Sequence, residues 1–282
     1  MNKPALIALD LDGTLLRDDK TVSAYSIDIL KQLSARGIPL FFVTGRDRRI
    51  AEQVLPFVDF PVWAIVNNGV AAYQLPGWTP CFVHYLPAHI RSRVIKCLGE
   101  IGRYPLFIVS RDGSILDRVM DKQLLADEVY RAYADRHAEH IAVVDSIADS
   151  ALLQRGLAMF LCEPNEQVEF VRAHMTGILG EVIEHRSLDN LNFLPTHRVI
   201  EMVEPGWTKY DGIVRLQALL ALPDHEIYAF GDDYNDLDML RQAGRSFAPE
   251  NAIDAAKTAA REIIPANNED GVARTLEMMF LE

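Results

Sequence analysis

The sequence predicts an α/β protein, a doubly wound parallel sheet with a separate α+β unit inserted into it. Three observations predict this. Short apolar runs alternate with amphipathic stretches over residues 5–85 and again after residue 205. Three of the apolar runs end abruptly in polar turns: Asp10-Leu11-Asp12-Gly13-Thr14, Thr44-Gly45-Arg46 and Gly231-Asp232-Asp233-Tyr234-Asn235-Asp236. The middle of the chain lacks this rhythm and mixes helix and strand signals. At 282 residues the chain is also long for one core, so two domains are expected.

Residues 5–9 are apolar throughout and bounded by a turn, the pattern of a strand buried on both faces. Residues 26–36 carry Ile27, Ile29, Leu30 and Leu33 at helical spacing, and Gly37 stands where a helix ends. Residues 39–43 form the next strand, and 48–55 a helix stopped by Pro56. Residues 62–66 are a third strand, running into the Asn67-Asn68-Gly69 turn. Leu75-Pro76-Gly77-Trp78-Thr79-Pro80 reads as the way out of the first core segment. Between residues 86 and 204, helices are expected at 91–101, 122–137 and 167–175, and strands at 107–109, 158–161 and 191–194. Pro205-Gly206 marks re-entry. A helix at 210–221, a strand at 227–230 and a helix at 237–243 follow. The chain closes with a short strand at 246–248 and helices near 252–260 and 271–279. The expected organisation is a Rossmann-like core built from residues 1–85 and 205–282, around an inserted domain at 86–204.

A formal charge of −12 argues against a nucleic-acid binder, which needs a basic face to displace counterions. It does not exclude an anionic substrate, because a local site can be positive on an acidic protein. Cys81, Cys97 and Cys162 form no close pair, so neither a zinc nor a redox motif is indicated, and a reducing compartment is expected. No signal peptide and no run of membrane-spanning length is read. The expectation is a cytoplasmic protein of unknown oligomeric state, binding neither membrane nor nucleic acid.

The chemistry starts at Asp10 and Asp12. Open α/β sheets bind their ligands at the carboxyl ends of their strands. Two acids placed there are costly unless a charge offsets them. A metal ion is the usual offset, and an acid beside a metal can serve as a nucleophile. Asp-x-Asp-Gly-Thr, the strand-end Thr-Gly-Arg, the lone Lys209 in Gly206-Trp207-Thr208-Lys209, and Gly-Asp-x-x-Asn-Asp follow in that order. Together they resemble the four motifs of the haloacid dehalogenase superfamily. Asn67-Asn68-Gly69 and Asn267-Asn268-Glu269-Asp270-Gly271-Val272-Ala273 resemble the Cof-type phosphatases within it, which carry a type IIB cap.

The resemblance implies roles. Asp10 is the nucleophile that forms an aspartyl phosphate. Asp12 is the general acid and base, and it needs a carboxyl raised above its free pKa of roughly 3.9 to carry a proton near neutrality. Mg²⁺ would be bound by Asp10, Asp232 and the Asp12 backbone carbonyl. Asp236 completes the acidic set, either at the metal, through water, or by orienting Lys209, and Asn235 acts beside it. Thr44 and Lys209 stabilise the phosphoryl oxygens. Arg46 orients acids or meets the substrate. Asn68 lies at the substrate entrance or simply supplies left-handed turn geometry. Thr44 could equally be a helix N-cap. Thr14 supports the loop, Asp233 is solvated, and Trp207 packs in the core. His84, His185 and His197 are surface or packing histidines that could line the substrate pocket.

Two positions depart from the pattern. Lys209 is followed by Tyr210, with glycine delayed to Gly212, and Ala248-Pro249-Glu250-Asn251-Ala252 replaces a glycine-bearing turn. The implied activity is Mg²⁺-dependent hydrolysis of small phosphate monoesters, such as sugar phosphates or phosphorylated cofactors. The alternatives are a phosphomutase or phosphotransferase of the same fold, and a catalytically idle binding protein. Specificity is expected in the inserted domain, with Arg186, Asn192 and His197 as its first candidates.

Overall fold

The computed structural model describes residues 4–111, 115–179, 183–185 and 196–282. Its contacts group the chain into two compact units, Met1–Val83 with Trp207–Glu282, and His84–Gly206. Among the described residues no helix is long and apolar enough to cross a membrane.

The first unit contains strands β1 (Ala5–Leu9), β2 (Leu40–Val43), β3 (Val62–Val66), β4 (Ala71–Leu75) and β5 (Thr79–Val83). After the second unit, whose six strands are described below, it resumes with β12 (Glu226–Phe230), β13 (Arg245–Pro249) and β14 (Glu262–Ile264). These form one sheet in the order β14-β13-β12-β1-β2-β3-β4-β5. Every pairing from β14 to β3 is parallel, and β4 and β5 join antiparallel. Helices α1 (Ala24–Ala35), α2 (Arg48–Val54), α6 (Lys209–Leu219), α7 (Leu237–Gln242), α8 (Asp254–Ala259) and α9 (Gly271–Phe280) accompany it.

The apolar runs are explained by which side chains meet which helices. In β1, Ile7 and Leu9 pack with Ile29, Leu30 and Leu33 of α1, Ala51 of α2, and Val272 and Leu276 of α9. Leu6 and Ala8 face the other way, onto Ile213 and Leu216 of α6 and Met239 of α7. A strand covered on both faces has no solvent side, so its sequence loses the alternation of a half-buried strand. Burying each large apolar side chain of this kind is favourable by about 1.5–3 kcal/mol. Connections run from β1 to β2 and β3 on one side, and β12, β13 and β14 fill the other. The chain therefore changes winding direction between β1 and β12, and the carboxyl ends of these strands are where open α/β sheets bind their ligands.

The helix bounds fall close to expectation. Ser23 caps α1 through its hydroxyl, and Gly37, at φ 75°, takes the left-handed position beyond the helix end. One reading is corrected. The stretch from Leu75 to Pro80 does not lead out of the core but forms the turn of the β4–β5 hairpin, so the sheet gains two strands there. β5 is the edge strand, where Pro80 can sit without breaking an inner ladder.

The second unit, described by itself, has strands β6 (Leu106–Val109), β7 (Arg118–Asp121), β8 (Ile141–Val144), β9 (Gly156–Pro164), β10 (Ile183–His185) and β11 (His197–Met202). They lie in the order β10-β11-β9-β6-β7-β8, and only β7 and β8 pair in parallel. Helices α3 (Ala88–Glu100), α4 (Glu128–Arg136) and α5 (Val168–Leu179) complete it. Val94 and Leu98 of α3 and Val171 and Met175 of α5 pack on Phe107, Met159, Leu161 and Ile200 of the sheet. The single helix expected over 122–137 is two elements, a short 3₁₀ turn over Lys122–Ala126 and then α4. Asp127 is extended and caps α4 by accepting from the Val129 N–H, which breaks the run. The strand expected at 191–194, and Arg186 and Asn192, lie outside the described residues.

Candidate active site

The site is assembled at the carboxyl ends of β1, β2 and β12. Asp10 follows β1 directly, and its N–H donates to the Phe230 carbonyl at 2.9 Å, so the β1–β12 pairing carries it into place. Beyond it the chain turns tightly, with Leu15 N–H donating to Asp10 O and Leu16 N–H to Leu11 O. Gly13 makes this turn at φ 75°. A Cβ there would stand 2.2 Å from Asp232 Oδ2, so no other residue fits between the two strand ends. Thr14, fully buried, donates its hydroxyl to Asp232 Oδ1 at 3.0 Å and ties β1 to β12.

Lys209 is the first residue of α6 and is almost completely removed from water. Thr208 and Asp211 close a capping box around that helix start. Lys209 Nζ donates to Asp10 Oδ1 at 2.5 Å and to Asp236 Oδ1 at 2.7 Å. The other oxygen of Asp236 accepts from the Asp232 and Asp233 N–H groups at 3.0 and 3.1 Å. Both Asp236 oxygens are thus committed, one to the lysine and one to the loop that carries Asp232. Asp233, expected to be merely solvated, instead caps the Tyr234–Asp236 turn. The delayed glycine explains itself here. A Cβ on Gly212 would lie 2.7 Å from the Gly69 Cα, and one on Gly69 would lie 2.0 Å from the Thr208 carbonyl. The two glycines let the Asn67–Gly69 turn and the start of α6 touch through their backbones.

Asp10, Asp232 and Asp236 can each offer a carboxylate oxygen, and the three lie within 4.8 Å of one another. The crowding registers in their protonation. Burial above all, with the charges of Asp236, Asp232 and Asp12 adding to it against Lys209, pushes the Asp10 carboxyl well above the usual carboxylate range. Burial, then the Asp236 charge, pushes Asp232 up to about 7. Burial opposes the charge on Lys209, but Asp10 and Asp236 outweigh it and hold the ammonium protonated.

Asp12 is placed differently. Its carboxylate lies outside that acidic group and is gripped by cations. Arg46 Nε donates to Oδ2 at 2.6 Å and Arg46 Nη2 to Oδ1 at 2.7 Å, while Lys20 Nζ reaches Oδ1 at 2.7 Å. Burial would raise this carboxyl, but Arg46 and then Lys20 outweigh it and lower it to about 2. The structure therefore pushes Asp12 in the opposite direction from the one a resting general acid needs.

Thr44 follows β2 directly, and its hydroxyl oxygen accepts the Arg46 N–H at 3.1 Å. The N-cap of α2 is Asp47 and not Thr44. Asn68 is buried at φ 53°, and its side-chain oxygen accepts from Asn235 Nδ2 at 3.0 Å, so it has both the turn geometry and a place beside the site. Trp207 packs against Phe82, with the Arg215 guanidinium 3.9 Å above its ring. In the second unit, His84 pairs with Glu204 at 2.5 Å, His197 meets the Thr196 hydroxyl, and His185 lies on β10. Lys20 went unread in the sequence, because a lysine in the charged turn Arg17-Asp18-Asp19-Lys20 carries no spacing signal that separates it from a solvated one.

Known proteins resemble this chain along its whole length. A family model for haloacid dehalogenase-like hydrolases matches residues 7–276. The 5-amino-6-(5-phospho-D-ribitylamino)uracil phosphatase YitU of Bacillus subtilis is 31% identical over 287 residues, spanning 99% of this chain and 98% of that protein. The pyridoxal phosphate phosphatase YbhA of Escherichia coli is 25% identical, spanning 95% and 96%. A solved HAD subclass IIB sugar phosphatase superposes with a TM-score of 0.69 at 18% identity, over 99% of this chain and all of that one.

The glycine contacts lead to one test. Gly69→Ala places a methyl group against the Thr208 backbone at φ 108°, and relief requires the start of α6 to shift. The substitution should lower stability by about 1–3 kcal/mol in urea titration. It should also weaken phosphate release, because Lys209 moves with the helix. A variant with unchanged stability and activity would show that the Gly69–Thr208 approach does not hold the lysine.

Proposed function

The chain belongs to the haloacid dehalogenase-like hydrolases, and from that premise we propose that it hydrolyses small phosphate monoesters with Mg²⁺ through a phosphorylated Asp10. The observation that carries this reading is the buried Lys209 between Asp10 and Asp236 at the carboxyl end of β1. It fixes one Asp10 oxygen and leaves Oδ2 without a hydrogen bond among the described residues. The donor set fits a hard divalent cation. Asp10 and Asp232 are crowded carboxylates, and burial together with neighbouring acids makes their ionised forms costly without a cation. Asp10, Asp232 and the Asp12 carbonyl would hold the ion, with Asp236 behind them keeping Lys209 and the Asp232 loop in place. When bound, Mg²⁺ neutralises charge on the transferring phosphoryl group.

The chain's own groups do the rest. Asp10 attacks phosphorus in line, and the ester oxygen leaves. Thr44 and Lys209 donate to the phosphoryl oxygens, where charge spreads in the transition state. Asp12 gives a proton to the leaving oxygen and later takes one from the water that cleaves the aspartyl phosphate. Held ionised by Arg46 and Lys20, it rests in the form needed for the second step. For the first step it takes up a proton from solvent on Oδ2 as substrate phosphate competes for Arg46. Asn68 and Asn235, already joined, orient the substrate. YitU and YbhA are phosphatases of phosphorylated heterocyclic compounds, which favours a small phosphorylated metabolite of that kind here.

Three outcomes are expected. Asp10→Asn keeps its volume and leaves Lys209 paired with Asp236. It should stay folded by circular dichroism and lose more than about 10³-fold in kcat, as nucleophile removal does. Near-normal turnover would exclude covalent catalysis by Asp10. In heavy-oxygen water the phosphate released should carry one solvent oxygen per turnover. A phosphoryl group found on a second hydroxyl instead would replace hydrolysis by transfer. Finally, Mg²⁺ must displace the proton from Asp232, which is protonated below about pH 7 in the metal-free protein. Calorimetric Mg²⁺ affinity should therefore fall at least about tenfold per pH unit below that point, more steeply wherever Asp10 is protonated as well, with proton release on binding. Affinity independent of pH between 5 and 8 would place the ion elsewhere.

A further inference from the structure

Lys20 occupies a position that its own side chain disfavours. Arg17 N–H donates to the Thr21 carbonyl and Lys20 N–H to the Arg17 carbonyl, both at 2.9 Å, closing a three-residue hairpin loop. The last residue of such a loop takes the left-handed conformation and is ordinarily glycine. Here it is Lys20, at φ 65°. Its ammonium reaches Asp12 Oδ1 from a half-exposed position, and an ion pair so exposed contributes little to folding. Stability of the fold therefore gives no reason to keep a lysine where glycine would sit unstrained. Strain held in place at a reactive site is evidence of a task for the strained residue.

The loop is also tied down by residues that the phosphatase chemistry leaves unused. Asn267 Nδ2 donates to the Leu16 carbonyl at 2.9 Å and to Asp18 Oδ1 at 3.1 Å. Asn268 Nδ2 donates to Asp18 Oδ2 at 2.8 Å, and its side-chain oxygen accepts the Asp18 N–H at 3.1 Å. Arg17 pairs with Asp270 at 2.8 Å. Asn251 accepts the Asn267 N–H at 2.9 Å and donates to the Gly13 carbonyl at 2.7 Å. The Asn267–Asp270 segment and the Asn251 turn thus form a cradle for the stretch from Gly13 to Lys20.

The hydrogen-bond count at Asp12 shows what this cradle delivers. Among the described residues, Oδ1 accepts from both Arg46 and Lys20, and Oδ2 accepts from Arg46 alone. Each carboxylate oxygen has two lone-pair sites, so Oδ1 is filled and Oδ2 keeps one open. We propose that Lys20 is a positioning residue that fills Oδ1 of Asp12, leaves Oδ2 as its working oxygen, and is held there by Asn251, Asn267 and Asn268. Without Lys20, each oxygen keeps one Arg46 bond and one open site, and nothing distinguishes the two. The inference rests on the phosphatase reading, in which Asp12 serves the leaving group.

The test compares leaving groups in the full chain with Mg²⁺. Pyridoxal phosphate releases a primary alcohol and needs proton transfer, whereas para-nitrophenyl phosphate releases a stable anion and does not. Full general acid catalysis is worth about 10²–10⁴-fold, so loosening its oxygen in K20G and K20M should lower kcat/KM on pyridoxal phosphate by roughly tenfold. On para-nitrophenyl phosphate the loss should stay under about twofold, and K20R should restore the first substrate. K20G should melt no lower than the parent, because it relieves the backbone. N268A should shift the same ratio in the same direction. Equal losses on both esters, or none on either, overturn the role of Lys20 alone. A parent enzyme that releases phosphate from neither ester overturns the phosphatase reading and this inference with it.

Discussion

The ammonium of Lys209 lies within hydrogen-bond distance of Asp10 and Asp236, and all three side chains are out of water. Burying ions costs several kcal/mol apiece, repaid only when partners and hydrogen bonds are all in place. That condition ties distant parts of the chain together. Asp10 must end β1, Asp236 must fold back under its own loop, and α6 must begin where the lysine can enter. Removing any one leaves a buried charge unmatched. Yet the set is unbalanced even when complete, because Asp232 adds a further carboxylate and only one lysine is present. Burial, and then this surplus, raises the pKa values of Asp10 and Asp232. The fold therefore creates a demand for either protons or a cation at one point of its surface, and catalysis by metal is a way of meeting it.

Close approach of backbone makes this charge arrangement possible. Gly13 lets the turn after β1 pass against Asp232, and Gly69 and Gly212 let the turn after β3 touch the start of α6. Each contact is shorter than any Cβ would permit. The apparent irregularity at Tyr210 is thereby resolved. What the site requires is a glycine facing Gly69, and one helical turn into α6 Gly212 supplies it while Tyr210 packs on the core. A family pattern describes the residue at a position, but the physical requirement is for room at a contact.

That distinction marks what could be read from the sequence. β1, β3 and α1 were legible because burial on both faces leaves an unbroken apolar run, and helical spacing leaves Ile29, Leu30 and Leu33 on one side. Asp10, Lys209, Asp232 and Asp236 were legible because their order resembles a known set, and the structure brings them together. The β4–β5 hairpin was missed because the turn residues around Pro76 and Gly77 look alike whether a chain leaves a sheet or reverses within it. The break at Asp127 was missed because a capping aspartate reads as one more polar residue of a helix face. Lys20 was invisible for a different reason. Its role depends on a left-handed backbone angle and on partners some 250 residues away, Asn267 and Asn268 holding Asp18, and neither leaves a trace in local spacing.

Asp10 and Asp12 show how much environment outweighs proximity. They are two residues apart with the same side chain, and their carboxyls move in opposite directions, Asp10 well up and Asp12 down to about 2. The tight turn after β1 accounts for the divergence. It ends the strand at Asp10, inside the acidic crevice, and turns Asp12 toward Arg46 and Lys20. Both shifts run against the roles proposed for these acids, an ionised nucleophile at Asp10 and a proton donor at Asp12, so what the turn divides is their surroundings. Here the division needs no difference in residue type, only one glycine turn. The inward acid shares a buried lysine with Asp236, whereas the outward acid is gripped by Arg46 and Lys20. A net charge of −12 is no obstacle to an anionic substrate under these conditions, since the cations that matter are placed one carboxylate at a time.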